Sequence, residues 1–209
     1  MSELPRTLFK ARLPGIARPL SAPEGARMTK YLNLLVKWQK TQRLIGSAEP
    51  AWIIENVFLD GLCFLEALSP EARLVADLGS GAGIPGIPIA IVRPDLELVL
   101  IESRQRRVSF LSTVVRELEL RSVTVLGRRA EAVAEESPLR FDAVVMRCAA
   151  KVEAILDVAV RLVRPGGSVI VGAGPSLEVG EHGEEVVVRT PTGTLRTFHR
   201  YRKPGPDSH

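Results

Sequence analysis

At 209 residues the chain fits one α/β domain with an appendage, or two small domains, and its 45% hydrophobic and 25% charged residues suit a soluble fold with a substantial core. No apolar run reaches membrane-spanning length, the N-terminus lacks a signal-peptide layout, and Cys63 and Cys148 show neither metal-ligand spacing nor a disulfide framework. A reducing cytoplasm is therefore the simplest setting, and the formal charge of +4 is uneven: residues 1–45 carry nine basic side chains against Glu3 and Glu24, leaving the remainder net acidic. Such a segment points to a polyanionic partner such as nucleic acid, with a solvated helix face as the plainer account.

Residues 1–20 mix prolines, glycine and scattered Arg and Lys without periodicity, and read as a basic arm, mobile when free. Ser21-Ala22-Pro23-Glu24 then opens a helix, with a Ser cap, proline in the first turn and Glu placed to complete a capping box. Met28, Tyr31, Leu32, Leu35 and Trp38 continue it at helical spacing, and Gly46 is its expected stop. A second helix is predicted from Pro50 to Leu68, ended by Ser69-Pro70. Residues 1–70 thus form a basic arm and helical cap, 71–203 the main domain and 204–209 a tail.

From Leu74 strands and helices alternate. Strands are predicted over Leu74–Leu78, Glu97–Ile101, Val123–Leu126, Phe141–Met146 and Ser168–Val171. Helices are predicted over Ile87–Val92, Gln105–Leu118, a short piece after Arg129, and Val152–Leu162. Glu185–Thr190 and Leu195–Tyr201 close the chain as a hairpin around Pro191-Thr192-Gly193. Repeated βα units imply a parallel sheet covered on both faces by right-handed crossovers.

The stretch Leu74–Pro88 organises this plan. An apolar run ends in an acid, breaks into glycines at alternate positions and resumes as a helix, so backbone N–H groups can approach a ligand closely. Gly81-Ala82-Gly83-Ile84-Pro85-Gly86 alone also fits the dinucleotide pattern G-x-G-x-x-G. Asp77, two residues before Gly79, shifts the reading, because hydrophobic–Asp–hydrophobic–Gly–x–Gly–x–Gly resembles the cofactor loop of S-adenosylmethionine (SAM) methyltransferases. In an open parallel sheet, ligands lie beyond the carboxyl ends of the strands. Gly79, Gly81, Gly83 and Ile84 would take the amino-acid part of the cofactor, and Asp77 its ammonium, directly or through water. Glu102 is placed for the ribose hydroxyls, Ala130-Glu131 for the adenine, and Arg147 for cofactor or substrate. Each has a plainer account: Glu102 as a strand-end acid, Glu131 as a helix cap, and Arg147 as the partner of Glu102 or Asp77.

The run Ala76-Asp77-Leu78-Gly79-Ser80-Gly81-Ala82-Gly83-Ile84-Pro85-Gly86-Ile87-Pro88 closely resembles the ribosomal RNA small-subunit methyltransferase G family, RsmG, also called GidB. The likeness extends through Tyr31-Leu32, Trp38, Ile101-Glu102-Ser103, Arg107–Leu111, Arg129-Ala130-Glu131, Arg147-Cys148-Ala149 and Pro165-Gly166-Gly167. It implies a Rossmann-like class I SAM-dependent methyltransferase sheet, with a small helical cap and a C-terminal β-hairpin. The implied reaction transfers a methyl group from SAM to N7 of a guanine in 16S rRNA, with cofactor contacts at Gly79, Ile84, Ala130-Glu131 and Arg147. No catalytic triad or metal is called for, and Arg147 and Lys151 are candidates for holding the substrate. The expected partner is 16S rRNA or the small ribosomal subunit, gripped by the basic N-terminal segment of a cytoplasmic monomer with no membrane contact.

Three positions depart from the family pattern. Trp-Asn-x-x-x-Asn-Leu-Thr appears as Trp38-Gln39-Lys40-Thr41-Gln42-Arg43-Leu44-Ile45, His-x-x-Asp-Ser-Leu as Val57-Phe58-Leu59-Asp60-Gly61-Leu62, and Lys-Gly as Ala173-Gly174. They keep open a methyltransferase with another substrate, and an RNA-binding or assembly protein that holds SAM without turnover.

Overall fold

The computed structural model describes residue 8 and residues 10–147, 152–172 and 183–205. Helix α1 (Ala22–Gln42) starts as expected: the Glu24 carboxylate accepts the Ser21 N–H at 2.7 Å, and Arg18 pairs with it at 2.7 Å. That arginine first, with the Ser21 hydrogen bonds, holds the Glu24 carboxyl down at about 2. α1 ends at Arg43, whose φ of 46° is a left-handed C-cap, three residues before the expected glycine.

The predicted second helix is one continuous rod of three pieces: α2 (Pro50–Ile53), a π-helical turn (Ile54–Leu59) and α3 (Asp60–Ala67). The widened turn is not visible in the sequence, because Ile54–Leu59 carries ordinary helical spacing of apolar residues. The stretch before α1 also differs from the mobile arm expected. Leu8, Leu13 and Leu20 are buried, and the Gly15 N–H donates to Glu66 Oε1 at 2.6 Å, which seats residues 10–20 against α3.

The sheet contains β1 (Leu74–Leu78), β2 (Glu97–Ile101), β3 (Val123–Leu126), β4 (Phe141–Arg147), β5 (Val163–Gly172), β6 (Gly183–Arg189) and β7 (Leu195–Arg202), in the order β3-β2-β1-β4-β5-β7-β6. The first five are parallel, and β7 inserts antiparallel between β5 and β6. β5 begins five residues before its predicted start. Phe141 pairs with Val163 and Ala143 with Ser168, so the turn-like Arg164-Pro165-Gly166-Gly167 is taken up as a bulge within the strand.

Helices α4 (Gly86–Val92), α5 (Gln105–Glu117), α6 (Ala130–Glu136) and α7 (Val152–Leu162) complete the βα units. α1, the α2–α3 rod, α4 and α5 cover one face, and α6 and α7 the other. Met28, Tyr31, Leu32 and Leu35 of α1 belong to the same buried cluster as Ile87 of α4 and Phe110 and Leu111 of α5. Each such side chain removed from water contributes about 1.5–3 kcal/mol, so the helical cap and the sheet are stabilised by one shared core. Trp38 meets Phe110 edge-on at 5.4 Å, extending that core toward the carboxyl ends of the strands.

Candidate active site

The glycine loop leaves β1 and is tied at once to the end of β2: the N–H groups of Gly79 and Ser80 both donate to the Ile101 carbonyl, at 2.9 and 3.1 Å. Gly79, Gly81 and Gly83 all have positive φ, between 58° and 89°, which side-chain-bearing residues rarely adopt. A Cβ at Gly79 would meet nothing within 4 Å, so the loop presents bare backbone to open space there.

That space is a cleft of about 360 Å³, a size typical of small-molecule sites. Gly79–Ala82 and Ile84 form its floor, Leu44–Gly46 and Trp52 one wall, and its charged residues are Arg107, paired with Glu102 beyond β2, and Arg147 at the end of β4. The wall is held by Gln39, whose side-chain amide bonds both backbone groups of Ile45: Oε1 accepts its N–H at 2.9 Å and Nε2 donates to its carbonyl at 2.6 Å. Tyr31 reaches the floor from α1, donating its hydroxyl to the Ala82 carbonyl at 2.6 Å.

Asp77 lies beneath this floor. It is fully buried, its Oδ2 accepts the Gly86 N–H at 3.0 Å, and its Oδ1 is buried without a hydrogen-bond partner. Burial pushes its carboxyl up to about 7, against the lowering effect of the Gly86 N–H. Asp77 is expected to meet an ammonium directly or through water; with no exposed surface it offers no direct contact in this conformation, and its hydrogen bond is with the turn into α4.

Glu102 directly follows β2 and is buried behind the loop, outside the residues that line the cleft. Its Oε2 accepts the Gly81 N–H at 3.0 Å, its Oε1 accepts the Arg104 N–H at 2.9 Å, and Arg107 Nη1 stands 3.6 Å away. The carboxylate is thus fixed in place with lone pairs to spare for hydroxyl donors. Ala130 and the exposed Glu131 open α6 beyond β3, outside the lining of the cleft.

Arg147, the last residue of β4, pairs with neither Glu102 nor Asp77. Its Nε is 3.3 Å from Asp60 Oδ2, and its Nη1 donates to the Asn56 carbonyl at 2.9 Å. Lys151 and Ala173-Gly174 lie outside the described residues.

Sequence reasoning passed over Gln39, Asp60 and Trp52 as site residues. Two of them sat inside the altered family signatures, which was the available signal. Gly61, where the family pattern has Ser, is explained by packing: a Cβ there would stand 2.9 Å from Cβ and Cγ of Pro88, so α3 and α4 approach too closely for a side chain.

Residues 24–191 match the family model GidB, rRNA small subunit methyltransferase G. The ribosomal RNA small subunit methyltransferase G of Xanthomonas oryzae pv. oryzae is 36% identical over 191 residues, covering 91% of this chain and 86% of that protein. The protein of the same name from Xanthomonas campestris pv. campestris is 34% identical over 208 residues, covering 98% and 92%. Among solved structures, the O-methyltransferase TomG from Streptomyces achromogenes, determined in complex with SAM, shares the fold with a TM-score of 0.56 at 19% identity, covering 86% of this chain and 90% of that one. With four-fifths of its length in the family match, and with the glycine loop, Glu102 and the α1–α3 wall all inside it, this chain belongs to the rRNA small subunit methyltransferase G family.

Proposed function

We propose that the protein transfers a methyl group from SAM to N7 of a guanine in 16S rRNA. The observation that carries this reading is the span of the family match, residues 24–191, which takes in the glycine loop as well as the helices that wall the cleft. The residues present suit the cofactor: bare loop backbone at Gly79, a fixed carboxylate at Glu102, and apolar walls at Leu44, Ile45 and Trp52. Glu102 would accept from the ribose hydroxyls, the Gly79–Gly83 loop and Ile84 would hold the amino-acid end, and Ala130-Glu131 would border the adenine. Bound SAM supplies an electrophilic methyl group on a positively charged sulfur.

Guanine N7 carries an in-plane lone pair and no proton, so the chain needs no general base for this acceptor. Its work is to align nucleophile, methyl and sulfur and to exclude water. Arg147 and the aromatic Trp52 both line the cleft, where they would meet an acceptor base.

The basic segment divides in the structure. Arg18, Arg27 and Lys30 bond within the fold, whereas Lys37, Lys40 and Arg43 are exposed near the C-terminal end of α1 without an ion pair among the described residues. We infer that these three grip RNA phosphates beside the cleft. Replacing all three with Gln is expected to reduce the salt slope of RNA binding by about 3 while leaving SAM affinity unchanged.

The deciding experiment is transfer of labelled methyl to small ribosomal subunits lacking the modification, followed by nucleoside analysis. Labelled 7-methylguanosine is the expected product. Label on a different nucleoside would favour another acceptor, the reading to which the apolar, fully buried Val57 at the family's His position lends weight. SAM binding without any transfer would favour a non-catalytic assembly protein. A cytoplasmic location follows from this substrate, and among the described residues no helix is long and apolar enough to cross a membrane.

A further inference from the structure

A line of charged side chains runs from the C-terminal hairpin to the cleft. Arg196, the second residue of β7, places Nε 3.3 Å from Asp60 Oδ1 as an ion pair without a hydrogen bond, and donates from Nη2 to Asn56 Oδ1 at 3.1 Å. The other oxygen of Asp60, Oδ2, faces Nε of Arg147, and Arg147 also donates to the Asn56 carbonyl. Glu55 joins the hairpin to the same turn of helix, its Oε2 accepting from the Thr192 hydroxyl at 2.6 Å and its Oε1 lying 3.5 Å from Arg196 Nη2. Glu55 and Asn56 lie in the π turn and Asp60 directly follows it, so the acceptors of the relay cluster at the junction of the widened turn with α3.

Asp60 is 7% exposed, and burial raises its carboxyl above the ordinary range against the lowering pull of Arg147 and Arg196, so its charge is favoured by both guanidiniums together. The two arginines divide it, one on each oxygen. Arg147 is long, and its side chain is 36% exposed; held at both Nε and Nη1, it loses the rotamer freedom that would otherwise oppose binding.

The geometry points to Asp60 and Arg196 as positioning residues for Arg147: the hairpin arginine fixes the Asp60 carboxylate, and that carboxylate aims the Arg147 guanidinium at the cleft. This rests on the reading of the cleft as the SAM site. It assigns to the hairpin, which lines no part of the cleft, a share in ligand binding there.

The test is a cycle of SAM affinities by calorimetry on the full chain: wild type, Arg147→Ala, Arg196→Met and the double variant, with thermal midpoints recorded for each. Arg196→Met is expected to weaken binding by roughly 3- to 30-fold, within the range of couplings between contacting residues, and to add nothing once Arg147 is Ala. A hairpin arginine that merely glues β7 to the helix would weaken binding equally in both backgrounds, which would overturn the inference, as would wild-type affinity in Arg196→Met. Should Arg196→Met fail to fold, Arg196→Lys takes its place, since an amine keeps the charge but cannot serve Asp60 and Asn56 together. A wild-type chain that binds no SAM, or an Arg147→Ala chain that binds it normally, would overturn the reading of the cleft as well.

Discussion

The Tyr31 hydroxyl and the Ala82 carbonyl, 51 residues apart in sequence, meet at 2.6 Å in the buried seam between α1 and the glycine loop. The Tyr31 ring is fully buried and stacks on Phe58 at 5.5 Å, so packing aims the oxygen. Tyr31→Phe keeps the ring contact and leaves the carbonyl without this donor. The expected cost is about 1–3 kcal/mol, read as a lower urea midpoint at unchanged slope, with weaker SAM binding from the loosened floor. A variant as stable as wild type would show that the hydrogen bond contributes nothing net.

Gly86→Ala tests close approach. A Cβ at this position would lie 2.4 Å from Leu100 Cδ2 and 2.7 Å from Asp77 Oδ2, both buried. Neither neighbour has room to retreat, so the variant should lose about 1–3 kcal/mol of stability. Thermal unfolding checks this, and an unchanged midpoint would mean that β2 and α4 can shift apart freely.

The Asp77 carboxyl sets a pH dependence. Its value of about 7 in the folded chain lies above the ordinary Asp value of about 4 in the unfolded one, so the folded state holds an extra proton between them. Stability from this group is full below about 4, falls as pH rises toward about 7, and is level beyond. Glu24 acts in the opposite sense and at lower pH, its contribution being lost as pH falls toward about 2. Urea titrations across pH should therefore show a downward slope through the mildly acidic range that is flattened in Asp77→Asn. An identical slope in the variant would show that Asp77 titrates normally.

Gln39→Ala tests the wall of the cleft. Both backbone groups of Ile45 would lose their partners, releasing Leu44–Gly46. SAM affinity is expected to fall by about tenfold, the equivalent of roughly one to two net hydrogen bonds, with a smaller change in global stability. Gln39→Asn, one methylene shorter, should recover only part of the loss. Calorimetry on the two variants decides this.

Strands β1, β2 and β3 follow their predicted bounds because each is a short apolar run closed by charge or turn residues, and nothing from elsewhere in the chain alters them. β5 departs because its extension is a tertiary pairing, Phe141 with Val163, that overrides local turn chemistry. Leu13 and Leu20 are single apolar residues in an aperiodic stretch, so their burial against the helices has no periodic signature. The places of the glycine loop and Glu102 in the fold could be read from spacing, since both directly follow strands. Arg196 could not: it is one charged position in an alternating strand, and its role exists only once β7 lies beside the rod carrying Asp60.

β6 reaches the rest of the sheet through β7 alone, which lies between it and β5. The two strands thus form one antiparallel ribbon that joins the sheet at β5 and also packs on α3. Arg196 travels with that ribbon. Loosening of the ribbon would therefore reach the clamp on Arg147, while the glycine loop and Glu102 are held by bonds of their own to the end of β2 and to each other.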